Sequence, residues 1–388
     1  MDMQQVIAAK LKQLFDVQAP STSAYQTGGM LSGGMGMYLY QFLYTTWQGI
    51  EFEAVLPFEA LVEEEFSNKS MSMCGGHAGL NWLYHFLVKK DIIDQETGEA
   101  ICFEDAALKA YALAQLKSLD WDMLHGALGI AYCLLYWDGA EEAYFRKIFE
   151  GLAGIRKGDR FPQYDSEKDA IVYDLFNPGL AHGLASLLKF CLQCCKQGMC
   201  TDVAAPLARE LTGLIVGRAN KDTSINYFPG LLPEEGEQDT YSRLAWCYGD
   251  LGIGYILYQA GIYFNDGQTT SFALEVLRKT ANRRTVEQTQ VMDAGFCHGS
   301  SGVAYIYNKL WHYTGEPVFK EATDFWIQKT LRFATYEDGP AGYKMYHAPT
   351  DSYEAGYNLI EGIAGVALVL LSYVTGDFSW DYCLMLND

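Results

Sequence analysis

Cys247 and Cys297 each stand two residues before a glycine that opens an apolar run, and His298 stands one residue before the second of those glycines. The glycines belong to a repeated Gly-x-x-Gly core at Gly33/Gly36, Gly76/Gly79, Gly126/Gly129, Gly249/Gly252, Gly299/Gly302 and Gly362/Gly365. An imperfect seventh copy is Gly183/Ser186. If equivalent repeats place equivalent atoms around a common axis, the three side chains converge although fifty residues separate the cysteines. Two thiolates and one imidazole form a three-ligand zinc set that leaves the fourth position open, as a catalytic site requires. Any one of these side chains alone reads as buried packing. The set points to metal.

The same end of the repeats carries Cys74, His125, His182 and Glu361 close to a first glycine. Helix N-termini favour a thiolate there, because their unpaired amides stabilise the anion. His125, beside Gly126, is an auxiliary acid or base candidate. Cys191, Cys194, Cys195 and Cys200 offer tempting C-x-x-C spacing, but they lie in the apolar run after His182 and read as core thiols rather than a second metal site.

These residues need a scaffold that repeats. Segments of helical periodicity with more charge lie between the cores, at about 3–16, 52–66, 105–118, 140–157, 202–219, 269–284 and 317–334. In the last, Phe319, Ala322, Phe325, Trp326 and Thr330 follow three-and-four spacing, while Lys320, Glu321, Asp324 and Lys329 take the other side. The runs after the glycines, such as 302–311 and 365–373, are apolar almost all round, as helices buried on most sides must be. Charged helix then apolar helix, seven times over, describes an outer and an inner ring. The expectation is one all-α domain over residues 1–388, a closed α/α toroid of about seven inner and seven outer helices. An open solenoid would favour repeats of constant length, and these are irregular. Glycine at each inner helix start removes side chains from one face and lets neighbouring helices approach.

Composition narrows the partners. The chain of 388 residues is 49% hydrophobic, enough for a large core, and carries a formal net charge of −20. A nucleic-acid partner needs clustered Lys and Arg and is excluded. An acidic face attracts basic peptides, although a solvated acidic surface explains the charge as simply. No signal peptide is evident and no run of 18 apolar residues suits a membrane span, so the expected compartment is the cytoplasm. Ten cysteines without a secretion signal fit a reducing compartment.

The strings RLAWCYGDLGIG (Arg243 to Gly254), FCHGSSGVAYIY (Phe296 to Tyr307) and GLAHG (Gly179 to Gly183) resemble the signature blocks of lanthionine synthetase C-like proteins. The glycine spacing extends the resemblance over essentially the whole chain. It implies a double-layered α-toroid and zinc held by Cys247, Cys297 and His298. It also implies a reaction in which a cysteine thiolate adds to dehydroalanine or dehydrobutyrine of a peptide, giving a thioether ring. By register the resemblance assigns Asp122, His182 and Arg243 to the site. Ser186 departs from the family's glycine, which touches local packing and not the zinc. No interval is long enough for the small domain that some peptide cyclases insert for substrate capture.

The implied chemistry suits those residue types. Zinc lowers a bound thiol's pKa far enough to supply the nucleophile at neutral pH. Addition builds negative charge on the neighbouring carbonyl, and a general acid then protonates the α-carbon. His182 is the acid/base candidate, Arg243 the charge holder, and Asp122 either takes the thiol proton or orients His182. Asp122 also reads as a helix N-cap, and Arg243 as a salt-bridge partner. The expected partners are a dehydrated precursor peptide, or a small thiol together with a dehydro-peptide, and a dehydratase. Two other functions fit less of the sequence. A carbohydrate-active toroid enzyme would use paired carboxylates such as Asp122 and Glu361, and leaves the cysteines unexplained. A non-catalytic, zinc-containing peptide scaffold leaves His182 and Asp122 without a task.

Overall fold

Each glycine core opens a helix: Met35–Gln48, His77–Lys89, Ala127–Leu134, Leu184–Lys196, Asp250–Tyr263, Ser300–Thr314 and Ile363–Thr375. These come from a computed structural model of the protein, which describes residues 2–17, 29–50, 69–137, 140–165, 168–220, 226–228, 230, 232–233 and 241–388. Six of the charged segments are helices as expected, at Met3–Phe15, Asp105–Lys117, Glu142–Ile155, Thr201–Gly217, Gly267–Thr280 and Pro317–Arg332. The seventh expected segment, 52–66, lies outside the described residues.

The two helix classes differ in what they bury. Every residue of Ala127–Leu134 is buried, as is every residue from Ser300 to Leu310. Asp105–Lys117 buries only Leu108, Ala112 and Leu116, a single stripe at i, i+4, i+8. Pro317–Arg332 buries Phe319, Ala322, Thr323, Trp326, Ile327 and Thr330. Phe325, expected on that face, is half-buried, and the Arg284 guanidinium covers its ring at 4.7 Å. Among the described residues three two-stranded pieces interrupt the helices, including the hairpins Gln163–Asp165/Ala170–Val172 and Met345–His347/Ser352–Glu354. Among the described residues no helix is long and apolar enough to cross a membrane.

The chain divides into two compact units: residues 1–70, 74–102 and 284–387 in one, and 71–73, 103–283 and 388 in the other. Both use one device at the helix starts. A glycine N-cap has no side chain to satisfy the orphan amides of the first turn. The loop before the helix supplies the acceptor instead. The first helical N–H donates to the carbonyl seven residues back: His77 to Ser70 (3.1 Å), Ala127 to Asp120 (3.3 Å), Leu184 to Asn177 (2.8 Å), Ser300 to Asp293 (3.0 Å) and Ile363 to Gly356 (3.0 Å). At Asp250 the Ser242 hydroxyl takes the carbonyl's place, at 3.0 Å. The adjoining Gly249 sits at φ +86°, a conformation that side chains rarely adopt.

The folded-back loop is why the second glycine is required. A Cβ at Gly129, Gly252, Gly302 or Gly365 would overlap the carbonyl oxygen six residues earlier, on Met123, Trp246, Phe296 and Leu359 respectively. The expected reason, approach of a neighbouring repeat, holds at Gly36, whose Cβ would lie 2.8 Å from the Leu359 Cβ of the adjoining loop and 3.3 Å from the Ala364 Cβ of helix Ile363–Thr375. Elsewhere the nearest obstacle is the helix's own loop. Backbone close to backbone cannot yield as a flexible side chain does.

The loops also bond to one another within each unit. In the first unit, the amides of Phe296 and Cys297 both donate to the Ile360 carbonyl, those of Leu359 and Ile360 to Leu31, and those of Leu31 and Ser32 to Cys74. In the second, Leu180 and Ala181 donate to the Cys247 carbonyl at 2.9 and 3.1 Å. Asp250 anchors the Cys247 loop from the other side: its buried carboxylate accepts from the amides of Tyr227 (3.1 Å) and Phe228 (2.7 Å) and pairs with Arg283.

Gly302→Ala should therefore destabilise the protein by about 1–3 kcal/mol or more, since the added methyl has only backbone to displace. Gly154 is exposed in a helix with nothing near its Cβ position, so Gly154→Ala should stabilise by about 0.5–1 kcal/mol through helix propensity. Chemical denaturation of the two variants checks both signs.

Candidate active site

Asp122 and His182 meet inside the second unit. Asp122 sits on the loop leading to Ala127–Leu134, where its Oδ1 accepts from the amides of Leu124 and His125, both at 2.8 Å. That fixes the carboxylate and leaves Oδ2 facing His182 Nδ1 at 2.7 Å. Asp122 thus does the turn-capping its sequence position allows and orients the imidazole with its other oxygen. His182 stands one residue before Gly183, and Asn177 Nδ2 donates to its carbonyl at 3.0 Å. Two rings flank it: His125 at 5.9 Å with planes 18° apart, and Tyr248 at 6.1 Å and 30°. The four side chains line one cavity of about 500 Å3.

The pair's charges are set by opposing effects. Burial works to raise the proton affinity of the Asp122 carboxyl, but the hydrogen bond and charge of His182, with the His125 amide, outweigh it and hold the group below the usual carboxylate range. Burial works to lower the His182 value, but the Asp122 hydrogen bond and charge, with a smaller effect of Cys247, raise it above the ordinary 6.5. Asp122 stays ionised and His182 holds its proton to higher pH than a free imidazole. Because Nδ1 faces the carboxylate, Nε2 is the nitrogen left for proton transfer.

Cys247 is buried two residues before Gly249, with its carbonyl held by the Leu180 and Ala181 amides. Cys297 and His298 are half-buried before Gly299, with the Cys297 amide held by Ile360. Cys247 belongs to the second unit, and Cys297 and His298 to the first. Two sulfurs and an imidazole nitrogen are donors suited to zinc.

The other candidates fall elsewhere. Cys74 is buried and its carbonyl accepts from the Leu31 and Ser32 amides. Glu361 is exposed; His125, by contrast, belongs to the cavity and is exposed there. Arg243 is half-buried, its carbonyl occupies the space a Gly249 Cβ would need, and it does not line this cavity. Cys191, Cys194 and Cys200 are fully buried and Cys195 nearly so; burial raises the thiol pKa of all four, as core thiols require. Tyr248 was legible by register, one residue before its glycine like His125, His182 and His298, yet its aromatic type gave no chemical signal.

A family model described as lanthionine synthetase C-like protein matches residues 55–385. The chain belongs to the lanthionine synthetase C-like family. It is 22% identical over 321 residues to the nisin biosynthesis protein NisC of Lactococcus lactis subsp. lactis, covering 77% of this chain and 72% of that protein. Its fold matches a solved structure of nisin cyclase with a TM-score of 0.73, covering 98% of this chain and 96% of that one at 16% identity. The α/α toroid expected from the sequence is the fold of this lanthionine synthetase C-like protein.

The pair's coupling has a measurable consequence. The stability contributed by the raised His182 is full below pH 6.5 and is lost as pH rises through its folded pKa. That contributed by the lowered Asp122 is full above pH 3.8 and is lost as pH falls through its folded value. Asp122→Asn should lower the His182 midpoint in the metal-free protein, measured by a histidine-ring NMR titration; an unchanged midpoint would show that the carboxylate does not govern it.

Proposed function

We propose that this protein is a zinc-dependent, thioether-forming enzyme of the lanthionine cyclase type. Its substrate is a dehydrated precursor peptide, and the thiol added to dehydroalanine or dehydrobutyrine is a cysteine of that peptide or a small thiol. The observation that carries the reading is the Asp122–His182 hydrogen bond of 2.7 Å, open to a cavity of about 500 Å3. Family membership and the likeness to the protein named nisin cyclase support it.

Cys247, Cys297 and His298 are the residues that would hold zinc. When bound, zinc would lower the pKa of the substrate thiol and so provide the thiolate. The remaining work falls to this chain's side chains. In the addition a carbon–sulfur bond forms at the β-carbon, the carbon–carbon double bond becomes single, and the α-carbon gains a proton. The thiol's proton is given up, so the sum is an isomerisation when both groups belong to one peptide. His182 Nε2 delivers the proton to the α-carbon, and the Asp122 carboxylate holds that proton on the ring to higher pH than in a free imidazole. Asp122 fixes the tautomer and stabilises the imidazolium. His125 and Tyr248 hold the ring from either side, and His125, exposed to the cavity, is an auxiliary proton carrier.

Purified protein should carry about one equivalent of zinc per chain, the count expected for a single three-ligand site, and Cys297→Ala should lose it. His182→Asn should keep the metal and lose about 10²–10⁴-fold in turnover, the range for a removed proton donor. Elemental analysis and thioether formation followed by mass spectrometry check the two. A zinc-free wild type would refute the metal, and a fully active His182→Asn would refute the acid.

A further inference from the structure

The cavity that holds Asp122 and His182 has a second zone. Beside those polar side chains, part of its lining comes from the hairpin Gln163–Asp165/Ala170–Val172, in which Tyr164 and Ile171 are direct cross-strand partners. Such partners project from the same face, so the two side chains form one apolar surface. Tyr164 is 60% and Ile171 40% exposed, and of the exposed large apolar side chains these are the two that line this cavity. The Tyr164 hydroxyl donates to Asp169 Oδ1 at 2.6 Å, which holds the ring across the hairpin. Trp121 and Pro162 continue the apolar wall inward, and Trp121 Nε1 donates to the Pro162 carbonyl at 2.6 Å, tying the hairpin's base to the loop that carries Asp122.

We infer that the Tyr164–Ile171 face selects the substrate, taking an apolar or aromatic peptide side chain next to the dehydro residue while that residue sits at His182. The inference rests on the proposed peptide chemistry. Water against an aromatic–aliphatic pair is unfavourable, and a ligand that fills this cavity meets the pair as well as Asp122 and His182. Neither side chain takes part in proton transfer, so the selection acts on which peptide is held and not on the chemistry.

Two short unreactive peptides test it, each with alanine for the dehydroalanine and serine for the cysteine. They differ only in carrying phenylalanine or glutamine on both sides of that alanine. Wild-type protein should bind the phenylalanine peptide about tenfold more tightly by calorimetry, the scale of a filled against an unfilled apolar pocket. Tyr164→Ala combined with Ile171→Ala should bring the two affinities within about twofold, and Tyr164→Phe should keep the preference. Thermal melts confirm that the variants fold, and Tyr164→Ala alone, with a partial loss of preference, serves if the double variant does not. Equal affinities in wild type, or a preference unchanged in a folded Tyr164→Ala or double variant, overturn the inference. Reactive versions of the same peptides separate the two proposals. Turnover without flank preference removes the selector and leaves the thioether chemistry, whereas preferential binding without turnover removes the chemistry and leaves the selector.

Discussion

A loop carbonyl lying over the first turn of its own helix is the constraint on which the site depends. It satisfies a helix-start amide that a glycine N-cap cannot, and a second carbonyl of the same loop, three residues on, forbids a Cβ at the second glycine. A loop so folded has no freedom to shift its last residues. The paired amides that cross to the next loop's carbonyl remove what freedom is left, as where Leu180 and Ala181 hold Cys247 or Ile360 holds Cys297. The one and two residues before these first glycines are therefore held by loop atoms other than their own side chains. Their side chains are free to be anything the function needs.

Variety at those two positions follows. The position two before the glycine carries Cys74, Ala181, Cys247, Cys297 and Ile360, and the position one before carries His125, His182, Tyr248, His298 and Glu361. Thiols, imidazoles, a phenol and a carboxylate are presented by one loop geometry. Function can change here without touching the core, because none of these side chains builds the loop that presents it. Asp122 is the exception that joins the two roles, with one oxygen on the loop's amides and the other on His182.

Much of this was legible in the chain, for identifiable reasons. Glycine spacing marked the helix starts because only glycine escapes the overlap with residues such as Phe296 and Leu359. Buried helices such as Ala127–Leu134 read as continuous apolar runs, and covering helices such as Asp105–Lys117 as narrow stripes. Cys247, Cys297 and His298 stood out because thiols and imidazole at one register have few other uses. Other features were partly or wholly hidden. Tyr248 looked like one aromatic among 27 tyrosines, and its place beside His182 depends on a ring packing that register alone does not reveal. The hairpin carrying Tyr164 and Ile171 is six paired residues long, too short for alternation to announce a strand. The nearer obstacle at Gly129, Gly252, Gly302 and Gly365, the carbonyl of each helix's own loop, was not legible either, since sequence shows which residue lacks a side chain and not which atom needs the space.

The account's central claim is that the Asp122–His182 cavity joins a thiol to a dehydrated residue. Joining them within one peptide changes no mass, so the decisive measurement follows atoms instead. A peptide holding one cysteine and one dehydroalanine is incubated with the zinc-loaded protein in D2O, then treated with iodoacetamide and weighed. The account predicts a product that resists alkylation and carries one non-exchangeable deuteron at the former dehydroalanine α-carbon. A peptide that remains fully alkylatable and undeuterated would contradict it.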